Sequence, residues 1–321
     1  MNPPSIFQIR DAAERIAPLV HLTPVLSSST LNRFSGAGLF FKTENLQKVG
    51  AFKARGAVNT VFSLDELDAQ KGVATHSSGN HAAALAYAAG CRGIKAYVVM
   101  PENAPPVKKA AVSDYGAEIV YCKSTQEARE ETLARVVKET GAAFIHPYND
   151  YRVICGQATA ALELLHQVSG LDAIVAPVGG GGLLSGTALT AKALNPDIRV
   201  FGAEPEMADD AYRSFRAGQI IPIEKPATIA DGLRTSLGEL TFPIIHKHVT
   251  GILTVSEEAI ISAMRLIWER MKIIIEPSAA VPLAAVFEYK PKFKGLKTGI
   301  ILSGGNADLD NLPWRKEAAH N

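Results

Sequence analysis

Cysteine is scarce in this 321-residue chain: Cys91, Cys122 and Cys155 stand far apart, and no C-x-x-C occurs. That number and spacing argue against a disulfide framework or a zinc knuckle, and the three read as core thiols. An excess of either charge is also missing, with 33 Lys and Arg against 32 Asp and Glu, so neither nucleic acid nor a membrane surface is an expected partner. No run of 18 or more apolar residues appears. The opening "MNPPSIFQIRDAAERIAPLV" has no apolar stretch resembling a signal peptide, and the expectation is a cytoplasmic protein. Internal repeats and low-complexity linkers are absent as well.

What is present is a hydrophobic content of 47% over a length that exceeds one compact core, so two lobes or one large α/β unit are expected. Short β-branched or aromatic runs alternate with Gly/Ser/Asn/Pro turns and Ala- or Leu-rich stretches, the pattern of a parallel α/β fold. Strands are expected at "GLFFKTE", "GVATHS", "IKAYVVM", "GAEIVYC", "AFIHPY", "AIVAPV", "RVFGAEP", "GILTV" and "GIILSGG". Helices are expected over 54–64, 80–90, 105–115, 126–140, 156–168, 183–194 and 257–271. The units between about 70 and 148 form a consecutive set, which suggests a small domain, 67–151, inserted into a large one made of 1–66 and 152–321. A ligand then belongs in the cleft, beyond the carboxyl ends of the strands.

Three strand-to-helix turns and one lysine carry the chemistry. In "AIVAPVGGGGLLSGTALTAKAL" a buried strand runs through Gly179, Gly180, Gly181 and Gly182 into a helix, offering backbone N–H groups and a helix N-terminus to an anion. This is a phosphate cradle. Its spacing is not the dinucleotide fingerprint, which needs Gly at i, i+2 and i+5, although Glu204 ends the next strand where a ribose-binding acid would lie. A nucleoside triphosphate loop is disfavoured too, because Gly186 is followed by Thr187 and Ala188 rather than by Lys and a hydroxyl residue. In "VATHSSGNHAAALAYAA", Ser77, Ser78, Gly79 and Asn80 set hydroxyls, an amide and free N–H groups at a second helix start, where a cap needs only one such residue. In "GIILSGGNADL" a late strand ends on Ser303, Gly304, Gly305 and Asn306. Lys53 lies in "KVGAFKARGAVN" among small and apolar residues, where a buried ammonium is costly unless neutralised or used covalently. The pair His246 and His248 in "HKH" sits at alternate positions of an edge segment and reads as solvated.

In these motifs, "FKARGA", "SSGNH", "GGGGLLSG" and "SGGN", taken in order and over almost the whole chain, the sequence resembles the fold-type II pyridoxal-phosphate enzymes. Within them it is similar to the serine racemase and serine/threonine dehydratase group, which includes 3-hydroxyaspartate dehydratases. The resemblance implies a two-domain α/β fold like the tryptophan synthase β chain, with open, mostly parallel sheets and helices on both faces. It implies pyridoxal 5'-phosphate on Lys53, flanked by Phe52, with the phosphate on Gly179 to Gly182 and Leu183, the ring hydroxyl on Asn80, Ser303 at the ring nitrogen and Glu276 near the ring. Substrate would meet Ser77, Ser78, Asn80 and His81, and Ser78 is the acid/base of the face opposite Lys53 in the racemases of this group.

A serine at the ring nitrogen cannot favour a fully protonated ring, so quick loss of a β-leaving group is the natural outcome. The activity implied is therefore an ammonia-lyase acting on serine, threonine or 3-hydroxyaspartate, with serine racemisation beside it. "FGAEPEMADDAYRSF" matches the racemase cation site at Glu204, Ala208 and Asp210, for Mg²⁺ or alternatively Mn²⁺ or Ca²⁺. Arg129 and Arg234 are candidates for a second substrate carboxylate. The resemblance also implies a homodimer, a small amino-acid substrate, a nucleotide effector as in animal relatives, and no regulatory domain after Trp314. Ala51 stands where the family usually carries serine, and Tyr148 where animal racemases carry asparagine. From other classes, an NAD-dependent dehydrogenase and a non-catalytic amino-acid-binding module remain as readings.

Overall fold

The computed structural model describes residues 2–314. Its strands are β1 (Val25–Leu26), β2 (Gly38–Thr43), β3 (Val73–His76), β4 (Ala96–Pro101), β5 (Glu118–Cys122), β6 (Ala143–Phe144), β7 (Ala173–Pro177), β8 (Arg199–Pro205), β9 (Gly251–Val255) and β10 (Lys297–Leu302). Helices α1 (Ile6–Ile16), α2 (Ser29–Ser35), α3 (Lys53–Phe62), α4 (Glu66–Gln70), α5 (Asn80–Arg92), α6 (Pro106–Asp114) and α7 (Gln126–Thr140) occupy the first half. The second half carries α8 (Tyr151–Gln167), α9 (Gly182–Leu194), α10 (Asp210–Ala217), α11 (Thr241–His248), α12 (Glu257–Met271), α13 (Pro277–Glu288) and α14 (Lys290–Phe293).

Two sheets result. The larger has the order β1-β2-β10-β7-β8-β9, and the smaller β5-β4-β3-β6. Every pairing is parallel except β1 with β2. Helices cover both faces, so strands such as β4 and β7 are buried at every residue and read as continuous apolar runs.

Local signals fix the helix starts. Ser5 and Gln8 form a capping box at α1, and Thr125, Asp150 and Ser256 cap α7, α8 and α12 through side-chain oxygens. The Asp150 cap explains why the helix expected over 156–168 begins at Tyr151.

Other expectations need correction. The strand expected over "AFIHPY" stops at Phe144, because the His146 ring Nδ1 accepts from the backbone N–H groups of Tyr148 and Asn149 and closes a turn. The edge segment expected to carry His246 and His248 is helix α11, where His246 is exposed with its ring against Phe215 and Phe242 and His248 is half-buried. Helix α13 is not among the expected helices: it is buried at nine positions from Ser278 to Val286 and holds Pro282, so it shows no polar face and carries an internal helix breaker.

Helices α3, α8 and α9 pack closely on one another. A Cβ at Gly156 would stand 2.4 Å from the Arg55 carbonyl, and one at Gly186 2.7 Å from the Ala158 amide, so glycine is required at both crossings. Among the described residues, no helix is long and apolar enough to cross a membrane.

Candidate active site

Strand order gathers the motifs. Strand β10 lies between β2 and β7, all parallel, so their carboxyl ends share one edge. Beyond β2 comes the segment leading to Lys53, beyond β10 Ser303 to Asn306, and beyond β7 the four glycines. The first two are pinned together: Phe52 N–H donates to the Ser303 carbonyl at 3.0 Å, and Ala51 forms an antiparallel bridge with Gly304. In the smaller sheet, the adjacent ends of β3 and β6 deliver Ser77 to Asn80 and His146 to Asn149. The two sets meet at Lys53, whose Nζ donates to the Pro147 carbonyl at 2.8 Å.

Lys53 is the first residue of α3 and forms no ion pair among the described residues. Its amine has the Pro147 carbonyl and, 5.2 Å away, the Phe52 ring as neighbours. Burial pulls its pKa down to about 8, partly offset by the Glu276 carboxylate. Burial pushes Glu276 itself up to about 7, against the hydrogen bond from Asn80. Asn80 Nδ2 donates to both Glu276 oxygens at 2.9 and 3.1 Å, and Asn80 Oδ1 accepts from Asn306 at 2.8 Å. The Asn80 side chain is thus tied to its neighbours, with Glu276 and Asn306 on either side.

The glycine loop opens α9 with Gly181 at the cap position in the left-handed region, φ 89°, where no side chain is available to bond the first-turn N–H groups. The Tyr148 ring lies against the loop, so a Cβ at Gly180 would come within 2.3 Å of it. Ser303, 3% exposed, follows the end of β10, and its hydroxyl forms no hydrogen bond among the described residues. A lysine amine without an acid partner, an uncapped helix start behind four glycines and an unengaged serine hydroxyl are the donor set that an aldehyde, a phosphate dianion and a ring nitrogen require. The residues present therefore fit pyridoxal phosphate.

Ser77 Oγ accepts from Gly79 N–H at 3.4 Å, while the Ser78 hydroxyl has no partner among the described residues. His81 departs from the substrate-facing role expected of it: the residue is 3% exposed, ring Nε2 bonds the Ile145 carbonyl at 3.2 Å, and Nδ1 is buried without a partner among the described residues. Burial, with Lys53 nearby, pushes His81 down to about 3, so the ring stays neutral. The Leu183 side chain belongs to the core, which leaves its backbone N–H for the loop.

Glu204 and Asp210 form a separate group at the end of β8, each 1% exposed. Glu204 accepts from the N–H groups of Ala211 and Tyr212 at the start of α10, and Asp210 Oδ2 is buried without a partner among the described residues. Burial raises both carboxyls, Asp210 to about 7. Among the described residues no three His, Cys, Asp or Glu side chains gather as a metal cluster. A cation here would have two carboxylates and the Ala208 carbonyl, and the orphaned Asp210 oxygen fits one.

Sequence reasoning missed the Pro147 carbonyl, the packing of Tyr148 on the loop and the buried charges around Arg55. A backbone carbonyl carries no residue-type signal, and a charged residue two places after Lys53 reads as a solvated helix position.

Residues 16–304 match the family described as pyridoxal-phosphate dependent enzyme. The chain is 54% identical over 314 residues to the β-hydroxyaspartate dehydratase of Paracoccus denitrificans, covering 98% of this chain and 100% of that one. It is 55% identical over 308 residues to the serine racemase of Dictyostelium discoideum, covering 95% of each. The crystal structure of a threonine deaminase from T.th. superposes with a TM-score of 0.91 at 50% identity, over 95% of this chain and 99% of that one.

Proposed function

The chain belongs to the pyridoxal-phosphate-dependent enzymes, and on that premise we propose that it is an ammonia-lyase converting a small β-hydroxy amino acid to a 2-oxo acid and ammonia, with serine racemisation as a second outcome. The observation that carries the reading is the Lys53 amine, lowered to about 8 by burial and in no ion pair among the described residues, where three strand ends and the smaller sheet meet. Bound to Lys53, pyridoxal phosphate supplies the electron sink that acidifies the α-hydrogen of an amino acid.

Lys53 Nζ, freed as a neutral amine when the amino group of the substrate takes its place on the cofactor, would take that hydrogen. Loss of the β-hydroxyl as water leaves an enamine, which regains water and releases ammonia, so the hydroxy amino acid becomes a 2-oxo acid with atoms balanced. First-turn N–H groups of α9 hold the phosphate, each charge-assisted bond contributing about 1.5–3 kcal/mol. Ser303 holds the ring nitrogen as a neutral partner, which favours departure of the β-substituent over a long-lived charge at Cα. Asn80 holds the ring hydroxyl beside Glu276, and Ser77 with the start of α5 binds the substrate carboxylate. Ser78, whose hydroxyl is unengaged, returns a proton to the opposite face during racemisation.

Among the substrates, a dicarboxylate has a specific observation in its favour. Arg129 on α7 has a buried Nε without a partner among the described residues and lies within electrostatic reach of His76, which directly precedes the serine turn. Arg234 is exposed and bonded to the Thr228 carbonyl. We therefore rank 3-hydroxyaspartate, whose second carboxylate Arg129 would pair, alongside serine and threonine.

Glu204, the Ala208 carbonyl and Asp210 would hold Mg²⁺, or Mn²⁺ or Ca²⁺, neutralising two buried carboxylates at the start of α10. A homodimer with a nucleotide effector completes the reading taken from the resemblance.

The test is 2-oxo acid formation from L-serine, D-serine, L-threonine and the 3-hydroxyaspartate stereoisomers. Turnover of at least one, abolished in Lys53→Ala, is expected; cofactor-loaded protein with no product from any of them contradicts the reading.

A further inference from the structure

We propose that Arg55 is a positioning residue, a buried fork that fixes the first turn of α3 and so sets the line along which Lys53 enters the cleft. The inference rests on the reading of Lys53 as the reacting amine and extends it to the groups that hold that amine in place.

Helix α3 starts without a side-chain cap. Phe52 occupies the cap position, and upstream of Lys53 the chain is held on one side, to the segment after β10, by the Phe52 N–H bond to Ser303, the Ala51 bridge to Gly304, and the Gly50 and Val49 carbonyls, which accept from Gly305 and Asn306. The Lys53 amine contributes little anchorage of its own, with one carbonyl acceptor and one ring as neighbours. Its location is therefore dictated by the backbone that carries it.

Two residues on, Arg55 supplies the missing anchor. Its side chain is fully buried, and its Nε and Nη2 donate to Glu44 at 2.6 and 2.8 Å while Nη1 and Nη2 donate to Glu163 at 2.6 and 2.8 Å. Nη1 also reaches Thr159 Oγ1 at 3.1 Å. Glu44 directly follows β2, and Thr159 and Glu163 lie on α8, so one guanidinium ties the first turn of α3 to the sheet end and to the helix beneath it. Thr23 donates to Glu44 at 2.6 Å, and Lys42 donates to Glu163 at 2.5 Å, to the Thr23 carbonyl at 2.7 Å and to Gln167 at 2.9 Å. Two cations and two carboxylates make the cluster neutral. Burial alone would push Arg55 down and Glu44 up; each outweighs that for the other, so both stay charged.

Stability alone is a poor reason for such a cluster, because well-packed apolar residues of similar volume often serve as well or better. What it provides is direction: a planar fork satisfied on both edges admits one orientation of the backbone behind it. A proton-transferring base needs that, since displacement by about 1 Å can cost on the order of 10²-fold in rate.

The test compares Arg55→Lys, which keeps the charge and loses the fork, with Lys42→Met, which disrupts the same cluster on its far side. Three quantities are read in the full chain: the pH midpoint for chemical labelling of the Lys53 amine in cofactor-free protein, followed by mass spectrometry; kcat and KM of the loaded enzyme; and the thermal midpoint. Arg55→Lys is expected to lower kcat by about 10- to 100-fold with KM within about threefold of wild type, and to move the Lys53 labelling midpoint upward from about 8. Lys42→Met is expected to lose at least as much thermal stability while both readouts stay at wild-type values. Should Arg55→Lys not fold, Glu44→Gln, which removes half of one edge of the fork, takes its place with the same expectations. The proposal is overturned if kcat falls in proportion to thermal loss in both variants, or if the Arg55 variant keeps wild-type kcat and labelling. Lys53→Ala run in parallel separates the two readings, because turnover persisting there overturns the role of Lys53 while the labelling comparison still reports on Arg55.

Discussion

At the scale of single residues, the chemistry follows from where two charged groups are buried. Lys53 is depressed from 10.5 to about 8, so its contribution to stability is present above pH 10.5 and is lost as the pH falls through 8. Each pH unit between those values is worth about 1.4 kcal/mol. Cofactor-free Lys53→Met should therefore exceed wild type by about 3 kcal/mol at pH 7 and match it near pH 10.5, as measured by urea unfolding at the two pH values. A second prediction concerns Arg129, whose buried Nε has no partner among the described residues. Arg129→Ala should raise KM for 3-hydroxyaspartate by about tenfold or more, as expected for loss of a charge-assisted hydrogen bond, and leave KM for L-threonine nearly unchanged; equal losses on both would remove Arg129 from specificity. Lys53 alone could not be told from a surface lysine, and only its company with the glycine tract, "SSGNH" and "SGGN" singled it out in the sequence. His81 misled, because a motif fixes a position along the chain and the direction of its ring depends on the Ile145 carbonyl, remote in sequence.

At the scale of elements, the glycine loop and Tyr148 form one unit. Gly180→Ala would bring a Cβ within 2.3 Å of the Tyr148 ring and force the loop or the ring aside. Cofactor affinity, read from absorbance titration, should fall about tenfold or more, and a Gly180→Ala/Tyr148→Ala double variant should recover part of it, because the obstructing ring is gone. An additive double variant would show that the loop is held by something else. Strands β8 and β9 match their expected ranges, since each is a short β-branched or aromatic stretch bounded by turn residues. Helix α7 likewise matches 126–140, with a Thr125 cap and Gly141 in the left-handed region at its end. Helix α13 was invisible because complete burial removes the polar face on which helical periodicity depends.

At the scale of the whole molecule, two parallel sheets bring their strand ends together, and loops far apart in sequence become one site. The order β2-β10-β7 is what joins Lys53, Ser303 and the glycines, and alternating β and α signals revealed the parallel sheets without revealing that order. The Glu204 carboxylate belongs to this scale because it ties the end of β8 to the first turn of α10. A divalent ion that binds the folded chain alone stabilises it by about 2.7 kcal/mol at 100 times Kd. Mg²⁺ should therefore raise the thermal midpoint, EDTA should lower it, and Glu204→Gln should be indifferent to both; wild-type indifference would leave Glu204 as a helix-start acceptor only. The central claim is that Lys53 carries the cofactor. Its most direct test is borohydride reduction of the pyridoxal-phosphate-loaded protein followed by peptide mass mapping: the account predicts loss of the near-visible band and one adduct on Lys53, whereas no band, or an adduct on any other lysine, would contradict it.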